Sequence, residues 1–200
     1  MRGMRQLAWM ILAACALASC GYNEIQARDQ AVQSAWAEVL SQYQRRADLI
    51  PNVVNSVKGQ ANFEQETLTQ VVDARAKATS VQATPELVND PAAFQKFLQA
   101  QGQLTSAVSR LLAVSENYPT LKANQGFQDL RAELEGTENR IAIARNRYIK
   151  AVEEYNVYIS QLPQTLTAKA FGYKQKPQYA VENEKAIETP PTVDFGNGKK

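Results

Sequence analysis

Histidine is missing altogether from this 200-residue chain. Its absence removes the usual general base, the commonest zinc ligand and every Ser-His or Cys-His nucleophile pair. Glycine is scarce: nine residues, most of them single, with no phosphate-cradling loop among them. There are two cysteines, Cys15 and Cys20, both near the start, so the body of the chain has no disulfide to hold it and needs a core. The alternating β-branched pattern of strands is absent. So is an excess of one charge: 22 basic side chains stand against 20 acidic ones. Nothing here steers the protein toward nucleic acid or anionic head groups. Carboxylates, Lys, Tyr and Ser are what remain for chemistry.

The first 20 residues carry the clearest signal. Arg2 and Arg5 form a short basic start, Leu7 to Ala16 a greasy middle, and Leu17-Ala18-Ser19-Cys20 a small-residue exit that closes on a thiol. A secretory signal has those three parts. The terminal Cys resembles a bacterial lipobox, in which the thiol is lipidated, the signal is cut before it and the new amino terminus is acylated. An ordinary signal with an incidental Cys, or an uncut anchor helix, are the alternatives. The apolar stretch is about a dozen residues, against the roughly 20 that a spanning helix needs. The expectation is a signal peptide over 1–19 and a lipid anchor, palmitate included, on Cys20, leaving a mature chain of 181 residues with 20 basic and 20 acidic side chains. Gly21 follows the Cys. By resemblance to the sorting rule of Gram-negative lipoproteins, the absence of Asp there favours the outer membrane, and otherwise the cell membrane.

From Tyr22 to Leu162 the chain reads as helix after helix, rich in Gln, Ala, Glu, Arg, Lys and Leu. Ile25, Val32, Trp36, Val39 and Tyr43 make the first stripe. Pro51 predicts a turn or sharp kink at Ala47 to Ile50, with Asp48 as cap of a second helix running from Ile50 to about Thr79. Its inward face is Ile50, Val54, Val57, Ala61, Leu68, Val71 and Val72. After a linker from Ser80 to Pro91, a third helix capped by Asp90 runs to about Glu116, burying Phe94, Phe97, Leu98, Leu104, Val108, Leu111 and Leu112. Asn117-Tyr118-Pro119 makes the next turn and Thr120 caps a last helix from Leu121 to about Gln161. There Leu134, Ile141, Tyr148, Tyr155 and Leu162 recur every seven residues, with Leu130, Thr137, Ala144, Ala151 and Tyr158 offset by four. The fold class is all-α: an antiparallel up-down-up-down four-helix bundle of long, coiled-coil-like helices over 20–163. Residues 164–200 read as an extended, partly disordered tail carrying Phe171, Tyr173, Tyr179 and Phe195, with a short helix near Leu166 to Tyr173.

Two polar clusters are the candidate functional residues. Glu135, Glu138, Asn139 and Arg140 surround Gly136 and Thr137 in the last helix. Thr137 points inward, Glu138 and Arg140 flank the seam, and Glu135 and Asn139 face outward. Gly136 leaves room for a close neighbour. Glu135 and Glu138 share a face and suit either metal ligation or an acid–base pair, yet no companion motif exists. The competing reading is a polar layer that sets helix register. Arg45, Arg46, Asp48 and Asn52 form the second cluster, a partner-binding corner or a capped turn with solvated arginines. The two clusters meet if the first and last helices pack together.

Three stretches, Arg45 to Val54, Glu116 to Asn124 and Glu133 to Ala142, resemble the signature segments of the LemA family. The pieces Phe171-Gly172-Tyr173-Lys174 and Pro190 to Phe195 are similar to its carboxyl end. That resemblance implies an antiparallel helical bundle held at a bacterial membrane by its amino terminus, and it supplies no catalytic residues to carry over. Many members look anchored by an amino-terminal transmembrane helix, from which the lipobox departs. The reading is a lipid-anchored binding or scaffold protein of the cell envelope. It is not an enzyme, uses no metal or cofactor, contacts no nucleic acid and meets an envelope protein. The alternatives are a carboxylate-based metal protein or enzyme using Glu135 and Glu138, and a small-ligand carrier.

Overall fold

In a computed structural model of the full chain, residues 2–59 and 63–179 are described, with side chains from Gly21 onward. Among them the chain is all-α, with no strand. Helix α1 is Arg2–Lys58, α2 Gln65–Ser80, α3 Pro91–Ser115, α4 Pro119–Lys122, α5 Gln125–Ser160 and α6 Gln164–Phe171; a 3₁₀ turn, Pro85–Asn89, precedes α3. α1 packs chiefly along α5, and α2 against α3. Arg45 pairs with Glu133 and Glu38 with Arg147, so α1 and α5 run in opposite directions. Among the described residues no helix is long and apolar enough to cross a membrane.

The expected turn at Ala47 to Ile50 is not there. α1 passes through Pro51 without a break, and Asp48 accepts a hydrogen bond from Gln44 Nε2 at 2.8 Å instead of capping a helix. A proline inside a helix leaves the carbonyl four residues earlier without its donor. Here that carbonyl is Ala47 O, and Arg75 Nε of α2 donates to it at 2.8 Å. A neighbouring helix thus supplies the donor that Pro51 lacks, which sequence periodicity does not reveal. Arg75→Met is expected to cost about 1–2 kcal/mol, because it orphans a part-buried carbonyl. Chemical denaturation checks this, with Arg110→Met on exposed α3 as the near-neutral control.

The starts of the second and last helices shift as well. The second helix begins only at Gln65, since Ile50 to Lys58 belong to α1. Asp90 does cap α3, its carboxylate accepting from the Ala92 and Ala93 amides next to Pro91. Thr120 lies inside the one-turn α4, and Asn124 caps α5 by accepting from Phe127 N–H. Val72 is 47% exposed, because the α2 stripe runs through Leu68, Val71, Ala74 and Ala78. Ala61 lies outside the described residues.

In α5 the seven-residue file drifts. Leu134, Ile141, Tyr148 and Tyr155 are buried, but Leu162, past the end of α5, is 77% exposed, and Val152 and Ile159 fill the core. A straight helix of 3.6 residues per turn slips by about 20° per heptad. The stripe therefore moves from Tyr148 to Val152 instead of Ala151.

Two apolar clusters result. One joins Ile25 to Tyr43 of α1, Leu87 and Val88, Phe94 and Phe97 of α3, and Ile141 to Ile159 of α5. The other joins Ile50 to Val57 of α1, Leu68 to Ala78 of α2, Leu104 to Leu111 of α3, and Leu121, Phe127 and Leu134. Between them the core register of three helices is polar: Arg46, Gln101 and Thr137 are all buried.

Residues 164–179 form a short helix, near where the sequence places one, and a segment docked on the bundle. α6 ends at Gly172, whose φ of +76° is a left-handed cap suited to a residue without Cβ. Tyr173 and Phe171 contact the ring of Tyr22, and Tyr179 packs on Phe94 and Tyr148. Lys176 is buried, its ammonium 2.7 Å from Asp29 Oδ1 and 2.5 Å from Asn89 Oδ1. Phe195 and the stretch Pro190 to Phe195 lie outside the described residues.

Candidate functional site

Arg46 occupies a core position because the buried stripe of α1 continues unbroken through Val39, Tyr43, Arg46, Ile50, Val53 and Val57. Its guanidinium is 1% exposed, so the expectation of a solvated arginine fails at this position. A buried cation needs a counter-charge and acceptors. Nη1 donates to Glu138 Oε1 at 2.9 Å and to Thr105 Oγ1 at 2.6 Å; Nη2 donates to Gln101 Oε1 at 2.5 Å and to Gln101 O at 3.3 Å. Nε is buried without a hydrogen bond. The guanidinium also lies over the Tyr43 ring, 5.1 Å from its centroid. Gln101 donates in turn to Ala78 O at 3.5 Å, bringing α2 into the same layer.

Thr137 and Arg140 extend the layer along the α1–α5 seam. Thr137 Oγ1 donates to Glu133 O at 2.8 Å and accepts from Arg140 Nη2 at 2.7 Å, while Arg140 Nε donates to Gln42 Oε1 at 3.3 Å. The two polar clusters do meet, through Arg46–Glu138 and, on the rim, through Arg45–Glu133 at 2.9 Å. Gly136 does not serve a close backbone approach. A Cβ there would come within 3.4 Å only of the mobile end of Arg140.

The other candidates sit outside. Arg45, Asp48 and Asn52, spaced by three and four, share an exposed face of α1. Glu135 pairs with Arg131 at 3.0 Å, and Arg131 also binds Glu116, which takes Lys122 at 2.5 Å. Those hydrogen bonds hold the Glu116 carboxyl below its ordinary range. Asn139 is exposed. Glu135, Glu138 and Asn139 line a cleft of about 400 Å³ between α3 and α5, with Thr105, Val108, Leu112 and Leu134. Among the described residues, no group of three or more acidic or thiol side chains stands close enough to hold a metal ion.

Gln101, Thr105 and Gln42 escaped sequence reasoning. Gln101 was detectable: it interrupts the spacing Phe94, Phe97, Gln101, Leu104, Val108 at a position where an apolar residue belongs. Arg46 carries the same signature but was hidden by the turn expected at Pro51.

The described residues form an all-helical domain, and Arg46, Thr137 and Glu138 of its polar layer lie in two of the stretches whose motifs stand out in the sequence. The chain belongs to the LemA family, whose model matches residues 35–195. It is 25% identical over 170 residues to magnetosome protein MamQ 2 of Paramagnetospirillum magneticum, covering 77% of this chain and 62% of the relative. It is 26% identical over 148 residues to magnetosome protein MamQ of Magnetospirillum gryphiswaldense, covering 66% and 54%. It is also similar to protein LemA of Metamycoplasma hominis, 23% identical over 134 residues, covering 67% and 57%. The match thus spans between about half and two thirds of the length of these relatives.

Proposed function

We propose that this LemA-family chain is an extracytoplasmic lipoprotein, tethered through lipid on Cys20, whose helical domain binds or scaffolds another protein of the cell envelope. The domain is read as a four-helix up-down-up-down bundle, with α1, α2, α3 and α5 as its long members. The carrying observation is the state of the candidate carboxylates. Glu135 and Glu138 each face an arginine, at 3.0 and 2.9 Å, which supports a structural pairing over a free ligand or base. This supports a recognition role, with Arg45, Asp48, Asn52, Glu135 and Asn139 as the accessible residues, and with Arg46, Glu138 and Arg140 holding the helices that present them.

Two acyl signals anchor stably, at about 0.8 kcal/mol per buried methylene. Cys20→Ser is expected to yield an uncut precursor or a soluble product in cell fractionation. A product of normal mature size that stays fully in the membrane contradicts the lipid anchor. Stoichiometric metal in the purified wild-type protein, lost in Glu135→Gln and Glu138→Gln with the fold intact, would replace the recognition reading with the metal one. A photocrosslinker at Asn139 that captures no discrete envelope protein from intact cells also counts against it.

A further inference from the structure

Three exposed apolar side chains gather around α6. Among the described residues the most exposed large apolar side chains are Leu162, Leu166 and Phe171, at 77, 64 and 63%. Such residues are normal singly on a protein surface, but several together mark a contact. Ala168 of α6 faces the core, so Leu166, Lys169 and Ala170, spaced by three and four, share the outer face. Leu162 comes just before the helix, and Phe171 ends it.

The position of α6 says what lies against it. α1 runs unbroken from Arg2 past Gly21. A Cβ on Gly21 would meet Thr167 Oγ1 of α6 at 3.8 Å. The Tyr22 ring is 4.8 Å from that of Phe171 and 6.3 Å from that of Tyr173. Gln26 Nε2 donates to the Tyr22 and Tyr173 hydroxyls, at 3.1 and 2.5 Å. These contacts fix α6 to the first residues after Cys20, whose Cα is about 3.8 Å from that of Gly21. Lipid on Cys20 and an uncut apolar run before it both bring the membrane to this point, so lipid is the nearest neighbour that the exposed side chains have.

We propose that α6 is a lipid-contact surface, lying along the membrane with Leu162, Leu166 and Phe171 among the acyl ends and Lys169 reaching the head groups. The inference rests on membrane attachment at the amino terminus and adds a second contact to it. A helix with one apolar face lies in the plane of the interface, and a lysine there runs its stem along apolar surface while its charge stays in water. Such binding draws on apolar area more than on charge, in keeping with 22 basic and 20 acidic side chains. The second contact does what a flexible tether does not: it fixes the tilt of the bundle. Arg45 and Asp48 then stand roughly 40 Å along α1 from Cys20, at about 1.5 Å per residue.

A photocrosslinking amino acid at Leu166 tests this, in the full chain expressed in cells grown on radioactive phosphate. The diacylglyceryl group carries no phosphorus, so radioactivity that enters the protein band only on illumination reports phospholipid beside residue 166. The expected yield is about tenfold or more above that of the same probe at Ile143, an exposed residue of α5 roughly 25 Å along the helix from Ser160. With the probe at Ala170, Leu162→Gln/Leu166→Gln is expected to lower the yield about fivefold, and both side chains are exposed, so the fold is kept. An unchanged yield in that variant overturns the proposal. So does a chain in the membrane pellet whose Leu166 probe labels no better than Ile143, or joins a protein instead of lipid; both leave the membrane attachment standing. Recovery of the chain in the soluble fraction overturns both.

Discussion

Trp36→Ala is expected to lower the unfolding free energy by about 3–5 kcal/mol, the largest effect of any single substitution in the apolar cluster near the amino-terminal end. Trp36 is fully buried and its ring touches Phe94, Phe97 and Tyr148 at centroid distances of 5.3, 5.5 and 5.3 Å. It is therefore the point where α1, α3 and α5 meet. Its Nε1 also donates to Thr84 O at 3.2 Å, fastening the loop that leads into α3. Alanine removes the ring, leaves a cavity and strands that carbonyl. Trp36→Phe keeps most of the packing and loses the hydrogen bond, with an expected cost of about 1 kcal/mol. Urea unfolding followed by far-ultraviolet circular dichroism measures both. A change of less than 1 kcal/mol for Trp36→Ala would contradict the junction described here.

The second large effect concerns the polar layer. Glu138→Gln is expected to destabilise the protein by about 2–4 kcal/mol, because it leaves the Arg46 guanidinium buried without a counter-charge. The figure lies below that of a fully buried pair, since Glu138 is 37% exposed and solvent screens part of the interaction. Glu135→Gln breaks only an exposed pair with Arg131 and is expected to cost well under about 1 kcal/mol. Arg46→Met together with Glu138→Gln removes the stranded charge and is expected to recover much of the loss. A double-mutant cycle in which the Glu138 effect is the same with and without Arg46 would show that the pair does not hold the layer. An outcome of this kind also separates stability from recognition. Loss of partner crosslinking with stability unchanged would assign Glu138 to the cleft surface and not to the interior.

The same layer shows where sequence reasoning reached its limit. The stripe Ile25, Val32, Trp36, Val39 and Tyr43 was legible, and so was the buried file Leu134, Ile141 and Tyr148, because one side of a packed helix must be apolar at helical spacing. The inward orientation of Thr137 followed from that spacing too. Arg46 did not, for two reasons. A charged residue on an apolar stripe is ordinarily read as the end of the stripe, and Pro51 supplied a plausible place for that end. Both signals were local. The forces that overrode them came from other helices: Arg75 donating to the carbonyl freed by Pro51, and Glu138, Gln101 and Thr105 surrounding the guanidinium.

By itself the sequence determined that this is a helical chain without histidine chemistry, that α3 starts at Pro91 behind an Asp90 cap, and which family its motifs resemble. Those properties rest on composition, short-range capping and periodicity, which are written in neighbouring residues. Only the tertiary structure decided that α1 runs on to Lys58, that the core is divided in two by a buried arginine layer, and that residues 173–179 dock against α5. Each depends on a donor, acceptor or ring supplied by a residue 20 or more positions away. The free energy of such a contact is absent from either segment until the helices are packed.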